Sequence, residues 1–546
     1  MVKLKRKRIK GHTYWYAVSQ KRVNGKLIDE WQVYLGSAKS ILEKIQGGGP
    51  KHVNIKSFEF GKVATILAID EELQFSKTIN DIVDKKDMKG LSVGEYVLVS
   101  VFGRWCGPLS KRATAKMFKQ SFLDFYYSIP HKMNAQNIFN NLAYLTKNTI
   151  ERISFEVSKR LIDLGLRPSI LMWDTTNFTT NIQNGESLAR KGKAKNKRFD
   201  KNIVGVGLAV SEDNIPFFHE TYPGNIHDSK VLSESIDRIV GQIKALDVDP
   251  KTITVVMDKG NNSDTNIDKI LEDIHVVGAL KRDQVKKFMN VPLYNYKMLY
   301  VNEKGHTVRG WRTTLEAYGQ GFTVVISHNE ATEKRQRGTY LRYEQKFLEG
   351  IKDIKERYER KGGRGRPMSQ SGAIRQIRAL TSDNYPSVFK YDIGLEPKEI
   401  RYWIDDDAKK ALFASFGKNA IFTDRHDLPT DEIVRIYNSK YQLENDFKLL
   451  KDKLVISLTP AYVRKDDSIR IHVFVCVTGL LFMRFFFWRM KDLRQSEKDL
   501  LEALEGIRVA LVSTEDMKGA KMVVEEMTPL QARIFSRLDL GRFIDH

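Results

Sequence analysis

Cysteine is nearly absent. Cys106 and Cys476 are the only two in 546 residues, and they can close at most one bridge across a very long loop. That excludes a disulfide-stapled secreted scaffold and fits a reducing compartment. With 14 Pro and 36 Gly the chain is neither collagen-like nor low-complexity, while 41% hydrophobic residues supply enough apolar mass for real cores. Long apolar runs are missing too. The most hydrophobic stretch, Ile471 to Trp488, carries His472 and is broken by Arg484. Its uncharged part falls short of the roughly 20 residues a spanning helix needs, so a buried core helix is expected there. Met1 to Lys10 is basic with no apolar segment behind it, which argues against a secretory signal and makes the cytoplasm the expected address. His219, His227 and His472 lack zinc spacing. No nucleophile-elbow motif, no GxxxxGK[ST] phosphate loop and no fixed-period repeat is visible.

Positive charge is abundant: 90 Lys and Arg against 68 Asp and Glu give a net charge of +22. Such an excess attracts polyanions at long range, and nucleic acid is the obvious polyanion because neutralising its phosphates releases condensed counterions. A generically basic soluble protein is the plainer alternative.

The length suggests about three to four units. Residues 1–50 read as a small β-hairpin unit, with strand-like Tyr14 to Val18 and Lys26 to Leu35 around the turn dipeptide Asn24-Gly25. Residues 51–168 read as a helical domain, with Ser110 as an N-cap after Gly107-Pro108. Residues 169–285 change to strands: Ser169 to Trp173, Asn202 to Val210, Ile215 to His219, Thr252 to Met257 and His275 to Leu280, with a helix from Asp228 to Ala245. Apolar runs of that kind predict a mixed α/β sheet covered by helices. Residues 286–420 read as an insertion domain, 421–490 as the completion of the core, and 491–546 as a helical tail.

Two acids stand at the ends of buried strands, Asp174 after Ile-Leu-Met-Trp and Asp258 after Val-Val-Met. If their strands lie side by side and parallel, the carboxylates converge at a sheet edge where crevices form, and a divalent cation relieves their repulsion. A strand-end Asp also caps a following turn, and both readings stand at this point. The helical pattern of Ile433 to Lys453 carries Tyr437, Lys440, Glu444 and Lys451 within an arc of roughly 60° on one face. A solvated face of Glu–Lys pairs is the alternative.

Asp174, Asp258 and Glu444, with Tyr437-x2-Lys440-x3-Glu444-x6-Lys451, resemble the DDE triad and the Tyr-x2-Arg-x3-Glu-x6-Lys signature of bacterial insertion-sequence transposases. The resemblance is to the group whose ribonuclease-H-like core carries a β-rich insertion before the glutamate helix. Flanking segments from Arg190-Lys191-Gly192 to Arg470-Ile-His472 occur in the same order, and the similarity runs through most of residues 90 to 490. Lys440 stands where the signature has Arg, keeping the charge and losing the bidentate fork. The resemblance implies that Asp174, Asp258 and Glu444 bind two Mg²⁺ ions, with Mn²⁺ a substitute, for in-line phosphoryl transfer. Asp174 would bridge the ions. It implies DNA partners (terminal inverted repeats and target) and at least a dimer at synapsis. Tyr437, Lys440 and Lys451 would hold DNA beside the acids. The cluster Arg190, Lys191, Lys193, Lys197 and Arg198 suits phosphate contacts, as do Lys3 to Lys10 and Arg364 with Arg366 in a glycine-rich loop. Two rivals remain: a basic DNA-binding protein on a retired transposase scaffold, and a ribonuclease-H-like nuclease that never joins strands.

Overall fold

A computed structural model describes residues 2–23, 26–47, 53–85, 90–130, 132–183, 185–195, 200–281, 283–360, 362, 368–382, 384–452, 456–459, 463–514 and 520–544. The turn expected at Asn24-Gly25, the basic residues Lys197 and Arg198, and Arg364 with Arg366 lie outside them. The chain divides into two compact units: 1–168, 175–226 and 442–546 form the first, and 169–174 with 227–441 the second.

The second unit is built on a mixed sheet. From the edge its strands run Lys297–Val301, Thr307–Ala317, Gln320–Asn329, Lys418–Thr423, His275–Ala279, Thr254–Val256 and the start of Ile170–Thr180. The last three are parallel, because the helices Asp228–Ala245 and Asp264–Asp273 return the chain after each strand. Leu171, Met172, Trp173, Val255, Val256, Val276 and Val277 are buried, as strands covered on both faces require. Lys418–Thr423 and its neighbours add on antiparallel.

The sequence reading placed an insertion at 286–420. In the structure the strands between Lys297 and Asn329 hydrogen-bond into the large sheet. A separate apolar core begins only at Tyr340 and ends at Phe416. It is assembled mainly from helices, Glu330–Glu359, Gln370–Thr381 and Asp406–Ala414, around the hairpin Phe389–Leu395 and Lys398–Ile404. Phe347 stacks on Phe389 at 4.9 Å between ring centres, and Tyr340 on Phe389 at 5.6 Å.

The first unit opens with a three-stranded antiparallel meander, Val2–Ile9, His12–Val23 and Lys26–Ser37, followed by the helix Ala38–Gly47. Its first turn, Lys10-Gly11, has φ of 49° and 84° at the two central residues. Positive φ at both is the geometry of a tight two-residue hairpin. The Lys3 to Lys10 cluster is therefore a strand and its turn, not a tail.

Helices follow from Gly61 to Asp163. Ser92 and Glu95 form a capping box at the start of Val93–Trp105, and Ser110 caps Lys111–Gln120 through the Ala113 N–H. Running among them is Asp466–Met490, the apolar helix of the sequence. It is long and apolar enough to cross a membrane, yet 89% of its apolar window is buried inside the protein. Trp105 Nε1 donates to the Gly479 carbonyl at 3.0 Å, and Arg104 to Ser457 at 3.1 Å. Residues 491–546 hold two helices, Glu497–Glu505 and Pro529–Arg537, and also strands: Arg508–Thr514 pairs with Lys521–Val524 and with Val53–Glu59. Asn202–Ser211 and Pro216–Pro223 complete the unit as an antiparallel pair, the former buried throughout.

Candidate active site

Register decides where the two strand acids fall. In the parallel pair Ile170–Thr180 and Thr254–Val256, Met172 lies opposite Val256. Asp174 and Asp258 each come two residues after that pair, so the chain carries both carboxylates to the same level beyond it. Asp174 does not end its strand, as the sequence suggested. The β-branched residues of Thr175-Thr176-Asn177-Phe178-Thr179-Thr180 extend it six residues further, a composition well suited to a pleated surface. Asp258 stands two residues past the end of its strand, Thr254–Val256. It is the N-cap of a short turn, accepting the Lys259 N–H at 2.8 Å, so its capping role and its place at the sheet edge coincide.

The helix Thr430–Leu449 begins three residues before Ile433, directly after Pro429. Its approach is fixed by the preceding loop. Asp424 accepts from the Val276 N–H at 2.8 Å and pairs with His275 at 2.6 Å, and Arg312 donates to the carbonyls of Leu428 and His426. Ser439 Oγ lies 3.4 Å from the Met172 sulfur, on the strand face that Asp174 shares at i+2.

Lys440 is the centre of the constellation. Its Nζ is 3.2 Å from Asp258 Oδ1 and 5.3 Å from the Tyr437 ring centre. Burial opposes its charge, but Tyr437, Asp258 and then Asp174 outweigh that, and the Lys440 pKa is raised. For Asp258 burial pushes upward, while the Lys440 charge and hydrogen bond and the Lys259 N–H pull harder, so its carboxyl is held below the usual range. Burial is also the main cause of a raised pKa at Tyr437.

The structure thus gathers Asp174, Asp258, Lys440 and Tyr437. Lys440 serves the acids as counter-ion, a use the sequence reading did not foresee when it assigned this residue to DNA phosphates. Glu444 stands one turn beyond Lys440 on the same helix and is exposed. Among the described residues no group of three or more His, Cys, Asp or Glu side chains is placed to hold a metal ion. Asp174 and Asp258, both acting electrostatically on Lys440, provide an all-oxygen pair, which is the donor chemistry a hard divalent ion takes. Lys451 needs correction. The helix stops at Leu449, and Lys451 sits in the turn after it, its N–H bonded to the Lys448 carbonyl, so the helical arc does not set its direction.

A family profile described as "Transposase DDE domain" matches residues 167–480. The chain belongs to that transposase family. No curated protein matches it. The matched span starts just before the strand of Asp174 and ends within the helix Asp466–Met490, so it contains Asp174, Asp258, Tyr437, Lys440 and Glu444. Divalent metals are typical of such transposases.

Three further placements in this transposase lie in the first unit. Arg190, Lys191 and Lys193 are exposed, and the loop that bears them is tied to the Asp174 strand three residues further on. Asn177 donates to the Lys193 carbonyl at 3.1 Å and accepts the Lys195 N–H at 3.0 Å. His472 is buried and His219 partly so, and their pKa values fall to about 3 and about 4, desolvation being the main cause. Sequence reasoning missed the pair Asp446–Arg484. Arg484 reaches Asp446 Oδ1 at 2.5 Å, with side chains 5% and 0% exposed, and so fixes the C-terminal half of the glutamate helix against Asp466–Met490. An arginine interrupting an apolar run was the signal; its partner lies 38 positions away and carries none.

Proposed function

We propose that this transposase cleaves the ends of its insertion element and joins them to target DNA. The carrying observation is that Asp174 and Asp258 each stand two residues past the paired Met172 and Val256 of adjacent parallel strands, with Lys440 on Asp258 and Asp174 adding to the field on Lys440. In this reading the sheet of the second unit is a ribonuclease-H-like core and residues 330–416 are its insertion. In the same reading Glu444 completes the acidic set.

Asp174 and Asp258, with Glu444, would hold two Mg²⁺ ions, or Mn²⁺ in their place, which when bound activate the attacking oxygen and stabilise the departing one. Everything else falls to the chain. The acids set the line of attack along the sheet edge, and Lys440, displaced from Asp258, turns to the scissile phosphate. Tyr437 packs beneath Lys440, and Lys451 with Arg190, Lys191, Lys193, Lys197 and Arg198 grips the flanking backbone. Hydrolysis breaks one P–O bond and leaves a 3′-hydroxyl. That hydroxyl attacks a target phosphate, releasing another 3′-oxygen, so bond energy is conserved and no nucleotide cofactor is consumed.

The partners are the element's terminal inverted repeats, target DNA and a second copy of the chain at synapsis, in the bacterial cytoplasm. The test is Asp258→Ala with divalent metal present: cleavage at the element's ends should fall by about 10³-fold or more while DNA binding survives, since each 1.36 kcal/mol of barrier is tenfold in rate. Undiminished cutting would overturn the assignment. Supplying a pre-cut 3′-hydroxyl end with target DNA separates a transposase, which yields a joined product, from a simple nuclease or a non-catalytic DNA-binding protein.

A further inference from the structure

The helices of the first unit leave a cavity of about 260 Å³ that neither the strand acids nor the glutamate helix lines. Gln74, at φ 52°, separates the helix Gly61–Leu73 from Phe75–Ile82. The second helix therefore opens with N–H groups that its own turns leave unpaired, and Asp70 takes that of Ser76 at 2.7 Å. Glu95 stands in the first turn of Val93–Trp105, its carboxylate accepting the Ser92 N–H at 2.6 Å. Tyr126 and Tyr127 end the short helix Phe122–Tyr127, and their rings meet edge to face at 5.0 Å. Asp70, Glu71, Ser76, Glu95, Tyr126 and Tyr127 all face the cavity.

The field inside is negative. Burial raises the Asp70 carboxyl most, and the charges that add to it are those of Glu95 and Glu71. After burial, Glu95 and Asp70 raise Tyr127, while Glu71, Asp70 and Glu95 raise Tyr126 against the opposing pull of Arg542. The bases nearby are turned to other work or to solvent: Arg542 pairs with Glu71 at 2.7 Å, and Lys77 is exposed. A second observation points the same way. Ser76 is 7% exposed, and its Oγ acts on Asp70 yet completes no hydrogen bond with any described residue. A buried hydroxyl left open is unfavourable unless an occupant of the cavity takes it up.

We infer that this cavity binds a protonated aliphatic diamine. Carboxylates and an open hydroxyl are acceptors, so the occupant has to be a donor, and the negative field makes it a cation. A metal ion does not suit the site, because among the described residues no three acids converge on one point. Acids spread around a cavity match charges spread along a chain. Each ammonium head brings three N–H donors to Asp70, Glu95 and Ser76 Oγ, and the methylenes between the heads lie against the tyrosine rings, whose faces attract cations as well. The volume falls just under the range of about 300–1,000 Å³ that drug-sized ligands fill, which fits a molecule of a few carbons. The inference is independent of the transposase reading and uses none of its acids.

The test uses the full chain without DNA, whose net charge of +22 gives an amine no general reason to bind. Titration calorimetry with 1,4-diaminobutane, near neutral pH and at fixed ionic strength, should show one saturable site per chain. The melting temperature should climb with the diamine in the parent and stay level in Asp70→Asn. Asp70→Asn should weaken binding about tenfold or more and Ser76→Ala about threefold, with circular dichroism unchanged in both. Lys77→Gln, which removes a competing charge, should tighten binding about twofold. An absence of saturable binding by the parent at millimolar diamine would overturn the inference, as would equal affinity in Asp70→Asn. Displacement of the diamine by an equal concentration of Mg²⁺ would overturn it too, because the acids would then be a plain cation patch. A loss of binding in Lys77→Gln would do the same. The cleavage test on Asp258→Ala stands or falls separately from all of these.

Discussion

The helix Thr430–Leu449 takes part in two acid–base pairs that differ in one respect. Lys440–Asp258 leaves the aspartate side chain 44% exposed, whereas Asp446–Arg484 is sealed from solvent. In the sealed pair the Arg forks onto one carboxylate oxygen, and Glu497 takes another of its nitrogens at 2.5 Å. Burial still pushes Asp446 up to about 6 against the pull of Arg484. In the open pair the balance reverses, and Lys440 holds Asp258 down. A buried pair cannot exchange partners without stranding a charge, while a half-exposed one can surrender its lysine to a metal or a phosphate at little cost. The first is suited to fixing a helix and the second to running a site. Asp70 is a third case: an acid with no ion pair among the described residues, accepting the Ser76 N–H at 2.7 Å and pushed up to about 6, chiefly by burial.

The contrast breaks first at Arg484. Arg484→Met should cost about 3–5 kcal/mol in thermal or urea unfolding, because Asp446 is left buried and unpaired, and the double variant Arg484→Met/Asp446→Leu should recover most of it. A single-variant loss under about 1 kcal/mol would show that the sealed pair is not sealed.

Asp70 sharpens the comparison through pH. Its folded pKa of about 6 lies above its ordinary 3.8, so the folded protein binds this proton more tightly than the unfolded chain. Stability from this group is present below pH 4 and lost as pH rises through 6. Asp70→Asn should therefore raise stability at pH 7 by roughly 2–3 kcal/mol and flatten the slope between pH 4 and 6. An unchanged slope would assign the titration elsewhere.

The smallest effect is expected at the open pair. Lys440→Met should shift unfolding by less than about 1 kcal/mol in chelator, and added Mg²⁺ should raise the melting temperature more in the variant than in the parent. Asp258, with its lowered pKa, contributes stability that is present above its ordinary 3.8 and lost as pH falls through the lowered value; the variant should lose this acid-side slope. A collapse as large as that of Arg484→Met would erase the distinction between the pairs.

Strands with long apolar runs, such as Asn202–Ser211, were legible because a strand buried on both faces has to be hydrophobic throughout. The helix Asp228–Ala245 was legible to the residue, since its apolar positions recur at helical spacing. The two aspartates were legible as strand acids, but their common level depends on register, which no local pattern encodes. The turn at Lys10-Gly11 was missed because lysine gives no hint of positive φ. Lys451 was misplaced because extrapolating the 3.6-residue period says nothing about where a helix stops. The pairing of Arg508–Thr514 with Val53–Glu59 was invisible, as any partner so far along the chain must be.

That last pairing sets a clock on the molecule. Ser57 and Arg508, hydrogen-bonded across it at 2.9 Å, are 451 positions apart. At roughly 5–20 residues per second a ribosome needs about 20–90 s to travel between them. For all that time the early strand Val53–Glu59 waits without its partner, and a prematurely stopped message leaves it unpaired.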